Sequence, residues 1–162
     1  MIYYRSFLIK LMLLVCPLEA MSQIEVVYFI SPTCKICQFY ALEMRQLVAD
    51  YGLEVEFKAY AVGALLTDSA VQSFKSDYQI PFPVIMDDIK HRELNATITP
   101  EVFVIDNTGV VYHGRIDDSF VRVGKRRAHV KNRELRSVLD LILAGKQVVV
   151  SHTPAVGCII EK

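Results

Sequence analysis

Seven residues near the start of the chain organise the rest of it: Ser31-Pro32-Thr33-Cys34-Lys35-Ile36-Cys37. An apolar run, Ile24–Ile30, leads into them, and a helix-like pattern over residues 38–50 follows. Two cysteines with two residues between them at a strand-to-helix junction lie within disulfide reach, because the first turn of the helix holds both sulfurs. The unpaired N–H groups and the positive dipole end of that helix stabilise a thiolate, so Cys34 is the predicted nucleophile.

The two cysteines are expected to differ in exposure. Cys34 is predicted at the exposed mouth of the helix with the positive charge of Lys35 beside it, whereas Cys37 lies a turn deeper and is shielded. This asymmetry separates an attacking sulfur from a resolving one. Pro32 and Thr33, which precede the pair, are predicted to support it together with Lys35.

The spacing of the cysteine pair also occurs in half of a structural zinc site. Zinc takes four ligands, commonly from a second Cys pair or a His pair with short spacing. The other cysteines, Cys16 and Cys158, are single, and the four histidines are scattered: His91, His113, His129 and His152. We therefore predict dithiol redox chemistry with no metal and no cofactor, and an inert surface disulfide is the remaining alternative.

The first 22 residues have the pattern of a secretory signal peptide. Arg5 and Lys10 form a positive segment, residues 11–18 are apolar, and small residues stand at the third and first positions before a cut after Ser22. The apolar stretch is shorter than the roughly twenty residues that span a bilayer, so a retained anchor is the alternative. We predict a periplasmic or secreted protein that begins at Gln23 and has no stable membrane span after cleavage.

Export would change the expected redox state of the cysteines. An exposed pair in an oxidising compartment becomes a disulfide unless something reduces it. The predicted partners are therefore proteins with disulfides and an electron donor or acceptor protein. Removal of residues 1–22 also removes Cys16, whose lipidation is an alternative interpretation of the leader.

Length and charge fit one domain, predicted over residues 23–162 with a C-terminal tail from about residue 146. The 162-residue chain balances 18 Lys and Arg residues against 18 Asp and Glu residues. Residues 1–22 hold two basic residues and one acidic residue, so the predicted mature part carries one net negative charge. No basic excess favours nucleic acid or a membrane surface as a partner.

From Gln23 onward, strand and helix patterns alternate. Ile24–Ile30 is mostly β-branched and aromatic, as in a central strand buried on both faces. The other predicted elements are helices over residues 38–50, from a cap at 67–69 to about 78, and over 133–144; strands over 53–60, 101–105 and 110–114; a short apolar segment over 84–86; and a helical turn over 91–94. This order predicts a mixed sheet with helices on both faces.

These features resemble the thioredoxin-like superfamily. The resemblance covers about residues 24–145 and rests on the Cys34 and Cys37 pair after a strand, the Thr99-Pro100 pair, and the hairpin through Gly109. The branch it looks most like is the exported redoxin group, which includes AhpC/TSA relatives of peroxiredoxins and the thioredoxins of cytochrome maturation. The resemblance implies an α/β three-layer sandwich with a mixed central sheet, and an exported thiol:disulfide oxidoreductase that acts on protein disulfides.

In that superfamily the proline that opens the third core strand is cis and lies beside the Cys pair. The backbone of the residue before it pairs with the bound substrate chain. Carried over, the resemblance implies that Pro100 is cis and that Thr99 offers its backbone to the partner protein. The simpler alternative is that Pro100 only begins a strand.

Two acidic residues of the family pattern are absent. Many thioredoxins carry a buried Asp six residues before the nucleophile, where this chain has Tyr28. Cytochrome-maturation relatives carry a Glu three residues after the second Cys, where this chain has Tyr40. Deprotonation of Cys37 then relies on water, on Glu43, or on one of the two tyrosines as a hydrogen-bond partner. The Trp that usually precedes the first Cys is replaced by Thr33.

Two other activities stay open. Peroxiredoxins place a Thr three residues before the attacking Cys and use an Arg to polarise peroxide, and Ser31 makes this chain an imperfect match to a thiol peroxidase. Copper-binding chaperones of the Sco type space their cysteines by three residues rather than two. They add a distant His, for which His91 or His113 is available.

The third cysteine of the predicted mature chain lies in the tail. The ending Thr153-Pro154-Ala155-Val156-Gly157-Cys158-Ile159-Ile160 is similar to tails of some redoxin-domain proteins. Burial as a small apolar residue is the expected state of Cys158. Two alternatives make it a third redox thiol, through exchange with the active pair or through a link to a second chain.

Overall fold

The structure is a computed structural model that describes residues 23–64, 66–86, 89–149 and 151–160. The predicted signal peptide, residues 1–22, lies outside the described residues. The elements in chain order are β1 (Ile24–Ile30), α1 (Lys35–Tyr51), β2 (Val55–Ala61), α2 (Asp68–Asp77), β3 (Val84–Met86), α3 (Lys90–Glu93), β4 (Ile98–Thr99), β5 (Glu101–Asp106), β6 (Gly109–Gly114), β7 (Phe120–Arg122), β8 (Lys125–Arg126), α4 (Glu134–Leu143) and β9 (Cys158–Ile159).

A five-stranded mixed sheet forms the centre of the domain, in the order β3-β2-β1-β5-β6. β1 pairs in parallel with β2, which pairs in parallel with β3, while β5 runs antiparallel to both β1 and β6. The central position explains the composition of β1, since a strand covered on both faces carries apolar residues in succession. All of its seven residues except Glu25 are buried. The predicted mixed sheet is confirmed.

The two faces of the sheet bury two separate apolar clusters. Val26, Tyr28 and Ile30 of β1 face the larger cluster. The helices α1, α2 and α4 complete it with Met44, Leu47, Val71, Phe74, Leu135 and Leu139. Val27 and Phe29 face the smaller cluster, which is covered by residues that follow α3 and by the tail: Leu94, Ala96 and Ile160. The α/β three-layer sandwich is therefore confirmed.

Helix α1 begins earlier than the pattern over residues 38–50 predicts. Cys34 is its N-cap residue, so the helix already includes Cys37 in its first turn. The helix buries an apolar stripe that includes Ala41, Met44 and Leu47. Gly52 is the C-cap residue, and its N–H donates to the Val48 carbonyl of the last turn.

Two short pairings outside the main sheet have no counterpart in the predicted elements. The strands β7 and β8 form a hairpin between β6 and α4. The strand β4 pairs antiparallel with β9, which is formed by the tail. The second pairing places the tail beside the cysteine pair. Within the described ranges, no helix combines the length and the apolar character that a membrane crossing requires.

Candidate active site

Cys34 lies between the end of β1 and the first residue of α1. Its backbone is extended, with φ −74° and ψ 116°, and its N–H donates to the Ser31 carbonyl at 3.0 Å. Its own carbonyl accepts the N–H of Gln38 at 3.1 Å, which closes the first helical turn. The side chain therefore starts at the end of the helix where the N–H groups have no partner within the helix.

This position makes the Cys34 thiol acidic. Its pKa falls from 9.0 to about 4, chiefly because the Cys37 thiol donates a hydrogen bond to the Cys34 sulfur. Burial opposes this shift, while the Cys158 thiol and the backbone N–H groups of Cys37 and Ile36 add to it. Such donors stabilise the thiolate relative to the thiol. The predicted identity of the acidic sulfur therefore agrees with its electrostatic surroundings.

Cys37 has the opposite character. The residue is fully buried, and its sulfur accepts the N–H of Ser31 at 3.4 Å. Burial raises the pKa of Cys37 well above its ordinary value, and the hydrogen bond to Cys34 and the charge of Cys34 add to this rise. The two sulfurs of the pair thus have contrasting acidity, which suits an attacking thiolate and a protonated resolving thiol.

The prediction that Cys34 is exposed is wrong. Only 2% of the residue is accessible. The carbonyl oxygen of Thr99 lies 3.2 Å from its sulfur, and the Cys158 sulfur lies 2.6 Å from it. Both contacts come from the strand pair β4 and β9. Cys34 is buried because the tail folds over the mouth of the helix, which its local sequence does not reveal.

The Thr99–Pro100 peptide bond is cis, as the resemblance implied. Thr99 is 2% exposed and belongs to β4, so its backbone is already paired, with Cys158 of β9 opposite it. The Thr99 hydroxyl donates to the Cys158 carbonyl at 3.4 Å. The backbone that the resemblance assigns to a partner protein is therefore occupied by the tail of the same chain.

The expectation that Cys158 is buried is also wrong. Cys158 is exposed, although its sulfur touches that of Cys34. Burial of part of the thiol and the nearby Cys34 sulfur raise the pKa of Cys158 from 9.0 to about 11. Of the alternatives for this residue, closeness to the active pair agrees with the structure. All three thiols of the described chain are free.

The flanking residues hold the first turn in shape. Gln38 accepts a hydrogen bond from the Lys35 ammonium at 3.0 Å and donates one to the Pro32 carbonyl at 2.9 Å. Exposed Thr33 shares a hydrogen bond with the Ser31 hydroxyl at 3.1 Å. The Lys35 side chain is thus directed along the helix toward Gln38. Sequence reasoning did not identify Gln38, although a polar residue one turn from Lys35 is a familiar helical partner.

The three candidates for assisting Cys37 have different environments. The Tyr40 hydroxyl donates to the Asp117 carboxylate at 2.5 Å, and Glu43 accepts from Arg136 at 2.6 Å, so both groups have strong partners. The fully buried Tyr28 hydroxyl has no hydrogen-bond partner among the described residues. Burial, with a smaller effect of the Glu43 charge, raises the pKa of Tyr28 well above its ordinary value.

A groove of about 330 Å³ lies beside the cysteine pair. Its walls include Pro32, Thr33, Gly63, Thr99 and Cys158. It is large enough for side chains of an extended peptide that runs past the helix mouth. In the part of the chain that the structure describes, no group of three or more His, Cys, Asp or Glu side chains is placed to hold a metal ion.

A cysteine pair at a helix N-terminus, a cis-proline beside it and a mixed five-stranded sheet define a thioredoxin-like protein of the redoxin group. The AhpC/TSA family model matches residues 18–114, and the chain belongs to this family. Membership of this family supports thiol-dependent oxidoreductase chemistry in general. No curated protein matches the sequence.

Solved structures agree with this fold. An uncharacterized conserved protein from Geobacillus kaustophilus is 25% identical, with a TM-score of 0.76 over 88% of this chain and 79% of that protein. A hypothetical protein from Sinorhizobium meliloti is 28% identical, with a TM-score of 0.75 over 86% of this chain and 80% of that one. A putative thiol:disulfide interchange protein DsbE from Chlorobium tepidum, 21% identical, shares the fold over 57% of this chain and 67% of its own, with a TM-score of 0.52.

Proposed function

We propose that the protein is an exported thiol:disulfide oxidoreductase that acts on disulfides of partner proteins through Cys34 and Cys37. The contrast between the two sulfurs carries this proposal. Cys34 has its pKa lowered to about 4 at the start of α1, while Cys37 is fully buried with a raised pKa. Such a pair attacks with one sulfur and keeps the other protonated until the substrate must be released.

In the reducing direction, the Cys34 thiolate attacks one sulfur of a substrate disulfide. A mixed disulfide forms, and the other substrate sulfur leaves as a thiolate that takes up a proton. Deprotonated Cys37 then attacks the Cys34 sulfur and releases the second substrate thiol. The substrate gains two electrons and the enzyme keeps a Cys34–Cys37 disulfide, which a donor dithiol protein reduces. In the oxidising direction the same steps run backwards.

Thr99 and Pro100 are proposed to bind the substrate chain. The carbonyl of Thr99 lies 3.2 Å from the Cys34 sulfur, so a chain paired with Thr99 would bring its own sulfur to the nucleophile. Pro32 and Thr33 line the adjacent groove, and Lys35 orders the first turn through Gln38. These residues support the reaction without exchanging electrons.

The proposed location is the periplasm or the exterior, after cleavage behind Ser22. The leader pattern supports this location. The intact mass of the exported protein tests it. A mass that begins at Gln23 agrees with the proposal, and a retained or lipidated leader contradicts it.

Insulin reduction by dithiothreitol, with the protein as catalyst, tests the activity. We expect wild-type turnover and a Cys34→Ser rate equal to that of buffer alone, because the pKa values of Cys37 and Cys158 are raised. Thr33→Ser serves as the matched control, since it keeps a hydroxyl beside the pair. Substantial turnover by Cys34→Ser would overturn the mechanism.

Peroxide consumption and Cu(I) uptake separate the alternatives. The redoxin family match is the observation that keeps a thiol peroxidase as the second candidate. Peroxide turnover faster than insulin turnover would favour the peroxidase. Tight Cu(I) uptake with little disulfide exchange would favour the Sco-like chaperone.

A further inference from the structure

The tail is bound to the active site as a β-strand. Thr99 is paired with Cys158 and Ile98 with Ile159, in antiparallel register. The N–H of Ile160 continues the pairing by donating to the Thr97 carbonyl at 2.9 Å. These backbone contacts are independent of the side chain at position 158, so they place the tail whether or not that residue is a cysteine.

Close packing fixes this strand in position. A Cβ atom on Gly157 would lie 1.9 Å from the Thr99 carbonyl oxygen, so glycine is required where the two backbones meet. Ile160 is 8% exposed and belongs to the smaller apolar cluster. Further back, the Thr153 hydroxyl shares a 2.6 Å hydrogen bond with that of Tyr112. The tail is therefore part of the fold on both sides of Cys158.

As a result, the two sulfurs that touch differ in how accessible they are. The sulfurs of Cys34 and Cys158 are 2.6 Å apart, only about 0.6 Å beyond the length of a disulfide bond. Cys34 is 2% exposed, whereas Cys158 is exposed. A thiol from another molecule therefore reaches the Cys158 sulfur before it reaches that of Cys34.

We propose that the tail is an intramolecular substrate strand and that Cys158 is a third catalytic thiol, which forms a disulfide with Cys34 and exposes it to external thiols. This inference rests on the proposed function, because it uses the same nucleophile. It deepens that function by identifying the tail as the segment that occupies the substrate-binding position beside Thr99.

The internal exchange needs no added oxidant. Starting from the Cys34–Cys37 disulfide, the Cys158 thiolate attacks the Cys34 sulfur. The Cys34–Cys158 bond forms, the Cys34–Cys37 bond breaks, and the Cys37 sulfur takes up the proton that Cys158 gave up. The number of disulfides is unchanged, so the oxidised protein is an equilibrium between two internal bridges.

The exposed bridge gives a donor dithiol a point of attack. A donor thiolate attacks the Cys158 sulfur, and Cys34 leaves as a thiolate, which its low pKa favours. The second donor thiol then releases Cys158 and keeps the new disulfide on the donor. A protein substrate instead displaces the tail from Thr99 before it reacts with Cys34.

Peptide mapping without reduction tests the bridge. Trypsin cleaves after Lys35, so Cys34, Cys37 and Cys158 fall on separate peptides. After oxidation of the full chain with one equivalent of diamide, we expect the Cys34–Cys158 linkage as a measurable fraction of the wild type and as the dominant internal linkage of Cys37→Ser. Absence of this linkage from both proteins would overturn the inference.

Gly157→Val separates the strand from the thiol chemistry. Its side chain would meet the Thr99 carbonyl, so the tail detaches while all three cysteines remain. We expect the Cys34–Cys158 linkage to fall at least tenfold and Cys34 to be alkylated at least tenfold faster. Ile159→Ala, on the same strand but 79% exposed, is the matched control and is expected to keep the linkage.

Insulin turnover distinguishes a failure of the tail inference from a failure of the proposed function. If Gly157→Val turns over insulin but leaves the linkage and the alkylation rate at wild-type values, only the tail inference fails. If wild type and Gly157→Val both lack turnover that depends on Cys34, the proposed function fails instead.

Discussion

The sulfur of Cys34 lies 2.6 Å from that of Cys158, although 124 residues separate them in the chain. This contact couples the N-terminus of α1 to the tail, and it accounts for the burial of a nucleophile expected at the surface. The reactivity of Cys34 therefore depends on two properties. One is its acidity, set chiefly by the Cys37 thiol with smaller contributions from the Cys158 thiol and two backbone N–H groups, and the other is its access, set by the tail.

The acidity of Cys34 predicts an unusual pH profile for alkylation. Because its pKa is lowered from 9.0 to about 4, the rate of its reaction with iodoacetamide should be nearly constant above about pH 5 and fall below it. Cys158, with a pKa of about 11, should instead react faster as the pH rises through 9. Mass spectrometry of quenched samples separates the two sites. A Cys34 midpoint near 8 or 9 would contradict the assignment.

The lowered pKa of Cys34 also predicts how the free energy of unfolding of the reduced protein changes with pH. The pKa of Cys34 is about 4 in the folded state and near 9 when unfolded, so its thiolate contributes stability fully above pH 9 and loses it as the pH falls toward 4. Urea unfolding of wild type and Cys34→Ser between pH 5 and 8 measures this. We expect their difference in unfolding free energy to grow in favour of wild type as the pH rises.

The Cys34–Cys37 couple is predicted to be oxidising. A thiolate stabilised at neutral pH favours the reduced form, which raises the reduction potential of the couple. We expect a value above about −200 mV, nearer the oxidising end of the thioredoxin-like range. Equilibration of Cys158→Ser with glutathione measures the pair without the third thiol. A value near about −270 mV, as for thioredoxin, would contradict this prediction.

Tyr28→Phe is predicted to stabilise the protein. The Tyr28 hydroxyl is buried without a partner among the described residues, and such a group costs roughly 1 to 3 kcal/mol. We expect the free energy of unfolding to rise by about 1 kcal/mol. Tyr112→Phe is the matched control. The Tyr112 hydroxyl donates to the Arg115 carbonyl at 2.7 Å, so its removal should lower the free energy of unfolding. A loss of stability in both variants would show that Tyr28 has a partner.

Arg136 is predicted to fasten α4 to α1. It donates to Glu43 at 2.6 Å and to Asp50 at 2.5 Å, and its side chain is 18% exposed. Arg136→Ala should lower the free energy of unfolding by about 2 kcal/mol, because hydrogen bonds between charged groups are among the stronger ones. Arg133→Ala is the control. Arg133 is 57% exposed and 3.8 Å from Glu43, so less than about 1 kcal/mol is expected.

The parts of the site that follow local rules could be predicted from the sequence. The strand before the cysteines and the helix after them each depend on a short pattern, whereas the cis bond before Pro100 was implied by the resemblance to the thioredoxin-like superfamily, and the structure has all three. The helix start was missed by three residues because Cys34 caps α1 without a side-chain hydrogen bond. No polar capping residue marked the start of the helix.

The long-range part of the site could not be predicted in the same way. β9 has two residues, and no periodicity distinguishes so short a strand. Its partner Thr99 lies 59 residues before Cys158, and the pairing depends on Gly157 fitting against a carbonyl that only the folded chain presents. The exposure of Cys34 and the burial of Cys158 were both predicted wrongly for this reason.

The 124-residue separation between the touching sulfurs has a mechanical consequence. A bond between them closes most of the domain into one covalent ring, and rings of this size restrict the unfolded chain by about 4 to 5 kcal/mol in the loop-entropy description. A bond between Cys34 and Cys37 closes only a small loop and gives little of this effect. The resistance of the oxidised protein to heat and proteases would therefore depend on which of the two disulfides is present, although both correspond to the same oxidation state.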